Sequence, residues 1–445
     1  MGVSKSQKRQ PIQNQNPRLV AARSLISWLK SNTVDILARN AFQQPSDYTF
    51  YRHLVSNVIR HKSKYEFFIQ KLTGKSLKKL DYEAKACLML GLTQLETDSK
   101  VEDYAAINET VDLMGPLKKP YLKGFVNANL RRFTRERRQL ENDLNRQEIS
   151  IRTSHPPSFI DRWKKQFGEE TADAICQANN IQPQVQLVLN PTFQFEQIIS
   201  GLKTEGFHCM DVDEGTLTIS NPAGLFDSEW AKKGAFLIQD RSFQPLNKIM
   251  ADLPKSTVLD ACSAPGGKLI NLEWSFSDDI EILVGCEINQ GRLKRLRENR
   301  NHFRSDAHLV QCDCSRPPFK QTFDLIILDA PCSATGTIRK HPELKWSRNR
   351  DDLIRNQMLQ VKLVKSCSHL LNPGGKLLYV TCSLEAEENQ EVVQYFTEKK
   401  SSAIKVLPIK SSEIDGSLIT NEGFYQALPS QSQMGCFAAL FEKDY

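Results

Sequence analysis

No apolar run in these 445 residues approaches the roughly 18 needed to span a bilayer; the greasiest stretches, such as FDLIIL, are strand-length. CxxC pairs are absent, and the 11 cysteines are an odd number without the spacing of a secreted disulfide framework. Cys312-Asp313-Cys314 stands alone as a close pair and is a poor zinc signal, so no metal is expected and a reduced compartment is. The opening MGVSKSQKRQ is basic but leads into no apolar stretch, which argues against a secretory signal. MGVSKS fits the bare myristoylation pattern with no other sign of a lipid anchor. With 40% hydrophobic and 25% charged residues, general disorder is excluded as well. The expectation is a cytoplasmic chain of several domains, at roughly 100–200 residues each.

What is present is charge, unevenly spread. Residues 1–140 hold 25 Lys and Arg against 12 Asp and Glu, whereas the other 305 hold 34 against 40. A basic front third on a mildly acidic remainder suggests a nucleic-acid-binding module attached to something else. A solvated basic surface is the plainer alternative.

Residues 17–140 read as helices. Leu19, Ala22, Ile26 and Leu29 follow one helical face, as do Leu80, Ala84, Cys87, Leu88 and Leu95, and then Leu122, Phe125, Asn129 and Phe133. That last helix carries Arg131, Arg132, Arg135, Arg137 and Arg138, with only Glu136 among them, a pattern suited to phosphate contact. The polar stretch 139–152 reads as a connector closed by His155-Pro156-Pro157. Helical sequence over 158–180 precedes a strand, helix and strand (QVQLVLNP, FEQIISGLKTEGF, LTISNP). From about 255, the runs STVLDAC, EILVGCE, AHLVQCD, FDLIILDAP and KLLYVTCS alternate with helical sequence, which predicts parallel βαβ units. Ligands of such sheets bind at the carboxyl ends of the strands, where these runs end in Asp260 and Cys262, Glu287, Asp313, Asp329 and Cys382.

The first of these ends continues as Asp260-Ala261-Cys262-Ser263-Ala264-Pro265-Gly266-Gly267-Lys268, which is neither GxGxxG nor a P-loop. Paired glycines permit close approach to a ligand, Glu287 can accept from both ribose hydroxyls, and Asp313 can reach an adenine amine. A nucleoside cofactor without a diphosphate fits, and S-adenosylmethionine is the natural candidate. Each acid alone could merely cap a strand end. Cys332 and Cys382 could likewise be small buried hydrophobes. Both nevertheless fall at strand ends on the ligand edge, and two thiols beside a methyl donor suggest a reaction. Carbon 5 of cytosine becomes nucleophilic once a thiolate adds to carbon 6, and a base must later remove the carbon-5 proton so that the thiol can leave. Asp329 could hold N3 and the amino group of the ring.

DACSAPGGK, DAPCSATGTIRKHPELKW and TCSLEAEEN resemble the signature motifs of RNA cytosine-5 methyltransferases of the Nol1/Nop2/Sun group. The likeness covers nearly the whole chain, and LKGFVNANLRRF is similar to the NusB-type RNA-binding domain of bacterial small-subunit (16S) ribosomal RNA members. The resemblance implies Cys382 as nucleophile and Cys332 as the thiol that assists breakdown of the adduct. It implies catalytic parts for Asp329 and Lys268 as well. Cofactor contacts are implied from Cys262, Ser263, Ala264, Pro265, Gly266, Gly267, Lys268, Glu287, Asp313 and Asp329, and Arg292 is grouped with them. In DNA cytosine-5 methyltransferases the PC-type cysteine attacks instead, so the presence of both thiols points to RNA. Departures from the pattern are Ser263 for a common alanine, Leu269 for a frequent threonine, Glu287 for a frequent aspartate, and QDRSFQP at 239–245, which leaves Arg241 without an assigned part.

The expected architecture is a basic tail (1–16), a helical NusB-like RNA-binding domain (17–140), a connector (141–157) and a small α/β RNA-recognition domain (158–240). A Rossmann-like, doubly wound, mostly parallel S-adenosylmethionine-dependent methyltransferase domain (241–445) completes it. The expected activity is 5-methylcytosine formation in small-subunit ribosomal RNA before full subunit assembly, by a monomer that uses neither membrane nor metal. An RNA-binding antitermination or assembly factor with a non-catalytic methyltransferase fold is the rival, opposed by the intact Cys332, Cys382 and Asp329. A small-molecule methyltransferase would leave the basic front domain without a purpose.

Overall fold

The computed structural model describes residues 16–31, 42–97, 102–213, 215–220, 222–398, 404–410 and 414–444. Apart from Asn16, the expected basic tail lies outside them. The chain forms two compact units, one comprising the described residues up to Lys164 with His341–Ser347, the other Lys165–Lys340 with Arg348–Tyr445.

The first unit is helical: α1 (Pro17–Ser31), α2 (Pro45–Arg60), α3 (Lys62–Thr73), α4 (Tyr82–Thr97), α5 (Asp103–Asp112), α6 (Lys123–Asn145), α7 (Ile149–Arg152) and most of α8 (Pro157–Phe167). Its core centres on α4, which is apolar almost all round and buries ten consecutive residues from Ala86 to Leu95. On α1 the buried residues are Val20, Ala21, Ala22, Leu25 and Trp28; of the expected stripe Ala22 is buried, while Leu19, Ile26 and Leu29 only flank the core. The expected connector is also corrected: α6 continues to Asn145 because Leu140 and Leu144 extend its buried face.

The five arginines of α6 divide. Arg132 pairs with Glu136 and donates to the Leu72 carbonyl, and Arg137 pairs with Glu141 and donates to the Leu95 carbonyl. Both thus satisfy carbonyls in the last turns of α3 and α4, where a cation is favourable. Arg131, Arg135 and Arg138 are exposed at i, i+4, i+7 spacing, a single solvent face. A further element of this unit comes from far along the chain. α15 (Leu344–Ser347) brings buried Lys345 to the Arg60 carbonyl at 3.1 Å and the Trp346 indole to the Ile59 carbonyl at 2.9 Å, so both cap the end of α2.

The second unit holds two sheets. The smaller, entirely antiparallel, has the order β2-β3-β1-β4: β1 (Val185–Leu189), β2 (Cys209–Asp213), β3 (Thr216–Ile219) and β4 (Phe236–Ile238). α9 (Glu169–Asn180), α10 (Phe195–Thr204) and α11 (Glu229–Lys232) accompany it. The division into units differs here from the expected boundary at 240, because the small α/β segment clusters with the larger sheet.

That larger sheet contains β5 (Thr257–Asp260), β6 (Ile282–Cys286), β7 (His308–Val310), β8 (Phe323–Asp329), β9 (Leu371–Thr381), β10 (Ile404–Leu407), β11 (Tyr425–Ala427) and β12 (Cys436–Lys443). Its order is β10-β12-β9-β8-β5-β6-β7, with β11 also on β12. The five runs noted in the sequence are the parallel strands, and β10, β11 and β12 add antiparallel pairings beyond β9. α12 (Gln244–Ala251), α13 (Gly267–Phe276), α14 (Gln290–His302), α16 (Arg350–His369) and α17 (Gln390–Glu398) lie between the strands in sequence. Because both faces of the sheet are covered by apolar clusters, its strands read as near-continuous hydrophobic runs. The order of growth reverses between β5 and β8, which opens a crevice at the carboxyl ends of the strands.

Candidate active site

β5 ends in Asp260, and the chain turns at once into α13. Gly266 takes φ +107, and a Cβ there would also meet the Leu296 side chain at 2.7 Å, so only glycine makes this turn. Asp260 is fully buried, and among the described residues neither of its carboxylate oxygens makes a hydrogen bond of full geometry, although the Ser263 hydroxyl and the Cys262 N–H lie near enough to ease its charge. Burial drives its carboxyl up to about 7, against the neighbouring Ser263 hydroxyl, and the nearby Asp329 charge adds to the rise. A buried carboxylate so weakly supplied with donors is costly, and a cationic donor on a bound group would reduce that cost. Ser263 Oγ is buried beside it and, among the described residues, likewise makes no hydrogen bond of full geometry. The Cys262 thiol is held well above its ordinary range by burial.

Lys268, in the first turn of α13, reaches across to β8 and donates to Asp329 Oδ2 at 2.6 Å. Its Nζ also lies 4.1 Å from the centre of the Phe243 ring. Burial pulls its proton affinity down, but Asp329 and the nearby thiols outweigh this and keep it a cation. Glu287, buried just past β6, accepts from the Asn289 backbone at 2.8 Å and faces Arg292 Nε at 3.4 Å. Arg292 also donates to the Ala264 carbonyl at 2.7 Å, so it fastens the glycine turn to Glu287. Asp313 is exposed past β7, and its hydrogen bond with Ser315 holds the carboxyl below the usual range. Arg241, left unassigned, donates its backbone N–H to Gln186 and its guanidinium to the Asp211 carbonyl, both in the small sheet's segment.

The two thiols meet. Cys332 Sγ and Cys382 Sγ are 3.3 Å apart, both half-buried, one on the loop after β8 and the other just past β9. The contact with Cys382, reinforced by burial, holds the Cys332 thiol well above its ordinary range, so Cys332 keeps its proton and can donate it toward the Cys382 sulfur.

Fully buried Glu388 was not singled out in the sequence, although it stands inside TCSLEAEEN. It accepts from the Ser333 N–H and hydroxyl and from Asn356 Nδ2, while its own backbone carbonyl accepts from Tyr379. Further bonds join the loops: Gly336 N–H to the Cys382 carbonyl at 2.9 Å, Leu384 N–H to Thr335 Oγ1 at 3.0 Å, and contact between the Ser333 and Ser383 hydroxyls at 3.1 Å. Position 336 must be glycine, since a Cβ would lie 2.6 Å from the Gly435 carbonyl oxygen and 2.8 Å from that of Cys382. Sequence position alone could not reveal this stitching, because its partners lie some 50 residues apart.

The 16S rRNA methyltransferase RsmB/F family model matches residues 248–442, and the NusB family model matches residues 15–135. Ribosomal RNA small subunit methyltransferase B of Pseudomonas putida is 32% identical over 397 residues, 87% of this chain and 90% of that protein. A methyltransferase homologue from Pyrococcus horikoshii aligns at TM-score 0.56 with 25% identity over 66% of this chain and 97% of that one. NSun6 from the same organism, with SFG, aligns at 0.57 with 18% identity over 65% and 98%.

Proposed function

The chain belongs to the 16S rRNA methyltransferase RsmB/F family, an S-adenosylmethionine-dependent methyltransferase of small-subunit ribosomal RNA, and from that premise we propose that it methylates carbon 5 of a cytosine through a covalent Cys382 adduct. The observation that carries this reading is the 3.3 Å approach of Cys332 and Cys382 beside the Lys268–Asp329 pair.

In the proposed reaction the Cys382 thiolate, its proton released to solvent, adds to carbon 6 of the ring as N3 takes up a proton, and the resulting enamine is nucleophilic at carbon 5. Asp329, fixed by Lys268, accepts from the exocyclic amine and from the proton that N3 takes up, and the ammonium of Lys268 tempers the charge that develops as the sulfur adds. Bound S-adenosylmethionine supplies an electrophilic methyl group. Its holders would be the 262–268 turn, with Asp260 and Ser263 for its charged end, Glu287 for the ribose and Asp313 for the adenine amine. Arg292 acts through Glu287 and the Ala264 carbonyl as a positioning residue. After transfer, Cys332 assists removal of the carbon-5 proton so that Cys382 can leave. The resting proton of Cys332 must first pass to solvent; the Cys332 thiolate then takes the carbon-5 proton as Cys382 leaves as a thiolate. The target cytosine must be unstacked to reach these groups. The exposed arginines Arg131, Arg135 and Arg138 would grip phosphates of the same RNA.

Labelled methyl transfer to a small-subunit ribosomal RNA transcript, followed by nucleoside analysis, tests the reading. 5-Methylcytidine is expected, and label on any other atom overturns it.

A further inference from the structure

A second thiol cluster lies outside this chemistry. Cys286 ends β6, and Cys312 and Cys314 follow β7, its parallel neighbour. The register explains why they meet. Cys286 pairs with Val310, so the segment leaving β7 runs past it, and residues 312 and 314 bring their side chains back to the same place. The three Sγ atoms all lie within 4.8 Å of one another, with Cys312 and Cys314 3.8 Å apart. Cys286 and Cys314 are buried, whereas Cys312 is half-buried and gives the cluster a route to solvent.

Metal–thiolate bonds of about 2.3 Å require sulfurs about 3.8 Å apart in a tetrahedral site and about 4.0 Å apart in a trigonal one. One edge of the triangle already has that length, and the others need close by no more than about 1 Å. Three sulfurs with no nitrogen ligand select soft cations. We propose that Cys286, Cys312 and Cys314 bind a thiophilic d10 cation of the zinc(II) or copper(I) class. Each coordinating thiol releases its proton to solvent as its bond to the metal forms. Cys314 gives up the hydrogen bond that it now makes to the Ala261 carbonyl at 2.9 Å.

The ion would act as a clasp. β7 is only three residues long, lies at the sheet edge and pairs with β6 alone. A metal bridge from the end of β6 to the segment after β7 would hold that edge where hydrogen bonds are few. The site goes beyond the methyltransferase reading and does not depend on it.

The test uses the full chain with Cys332→Ser and Cys382→Ser, so that the other close thiol pair cannot bind the probe. Reduced protein is titrated anaerobically with cadmium(II), read by thiolate charge-transfer absorbance, and then challenged with zinc(II) in one arm and copper(I) in the other. The expectation is saturation at one equivalent, displacement by at least one challenger, and at least about a tenfold loss of affinity on adding Cys312→Ser. Because Cys312 is half-buried, that variant keeps the fold even if Cys286→Ser does not. The displacing ion should also raise Tm by about 5 °C at a hundredfold excess over Kd, and this rise should vanish with Cys312→Ser. No saturable band, displacement by neither ion, or a band that survives Cys312→Ser overturns the proposal.

Discussion

Single residues set the electrostatics of the cofactor edge, and Asp260 is the most exposed to pH. Between about pH 4 and 7 the folded protein keeps a proton on this carboxyl that the unfolded chain has already released. Stability therefore falls as pH rises through that window, and the penalty is complete above it, on the order of 4 kcal/mol for a group buried this fully. Asp260→Asn should flatten the decline in stability between pH 5 and pH 8, measured by chemical denaturation, and a slope identical to wild type would exclude Asp260 as its source. If Asp260 receives the cofactor's ammonium group, wild type should also bind S-adenosylmethionine more tightly at pH 8 than at pH 6, and the variant should lose that dependence. Asp260 was legible in the sequence only as a strand end. Its full burial follows from three-dimensional packing, which no local pattern encodes. Cys332, Cys382 and Asp329, by contrast, could be read from the chain because each follows a long apolar run that had to be a central strand.

At the scale of elements, four of the five parallel strands were readable because strands buried on both faces are continuous apolar runs, whereas the short, part-exposed β7 was legible only through its place in the alternation. The antiparallel strands β2, β4, β10, β11 and β12 were not read; β2, β4, β10 and β11 are only three to five residues long and sit outside the strand–helix alternation, and β12 follows a segment without helical sequence to mark it as part of the sheet. The extension of α6 past residue 140 was hidden by its Gln, Asn and Glu content, although Leu140 and Leu144 marked the face. The loops after β8 and β9 work as one element, joined through Gly336 and Glu388. Gly336→Ala forces a methyl group against two backbone carbonyls, so the loops must part. The variant should lose about 1–3 kcal/mol of stability. It should also transfer methyl at least tenfold more slowly while binding S-adenosylmethionine as wild type does, since the cofactor's groups sit on other strand ends. Calorimetry and single-turnover kinetics would check both, and an unchanged transfer rate would mean that loop registry does not position Cys382.

Across the whole molecule, the charge asymmetry and its reading as a nucleic-acid-binding module came from counting, but which of the arginines face solvent did not. Three of the α6 arginines are exposed together, while Arg132 and Arg137 are committed to the ends of α3 and α4. Replacing Arg131, Arg135 and Arg138 with Gln should weaken RNA binding and reduce the salt dependence of log Kd by about one per arginine, with little change in Tm. Arg132→Gln should instead lower Tm and leave most of the salt slope intact. Equal behaviour of the two sets in salt-titrated binding would contradict the division. Domain boundaries were the least legible feature, because α15 is contributed to the helical unit from beyond residue 340, a long-range contact with no local signature. The central claim concerns the roles of the two thiols, and a denaturing gel with labelled RNA and methyl donor, run on Cys382→Ala and Cys332→Ala, tests it most directly. Cys382→Ala should give neither methyl transfer nor adduct, and Cys332→Ala should accumulate a covalent protein–RNA complex that survives denaturation. An adduct trapped by Cys382→Ala, or by neither variant, would contradict the account.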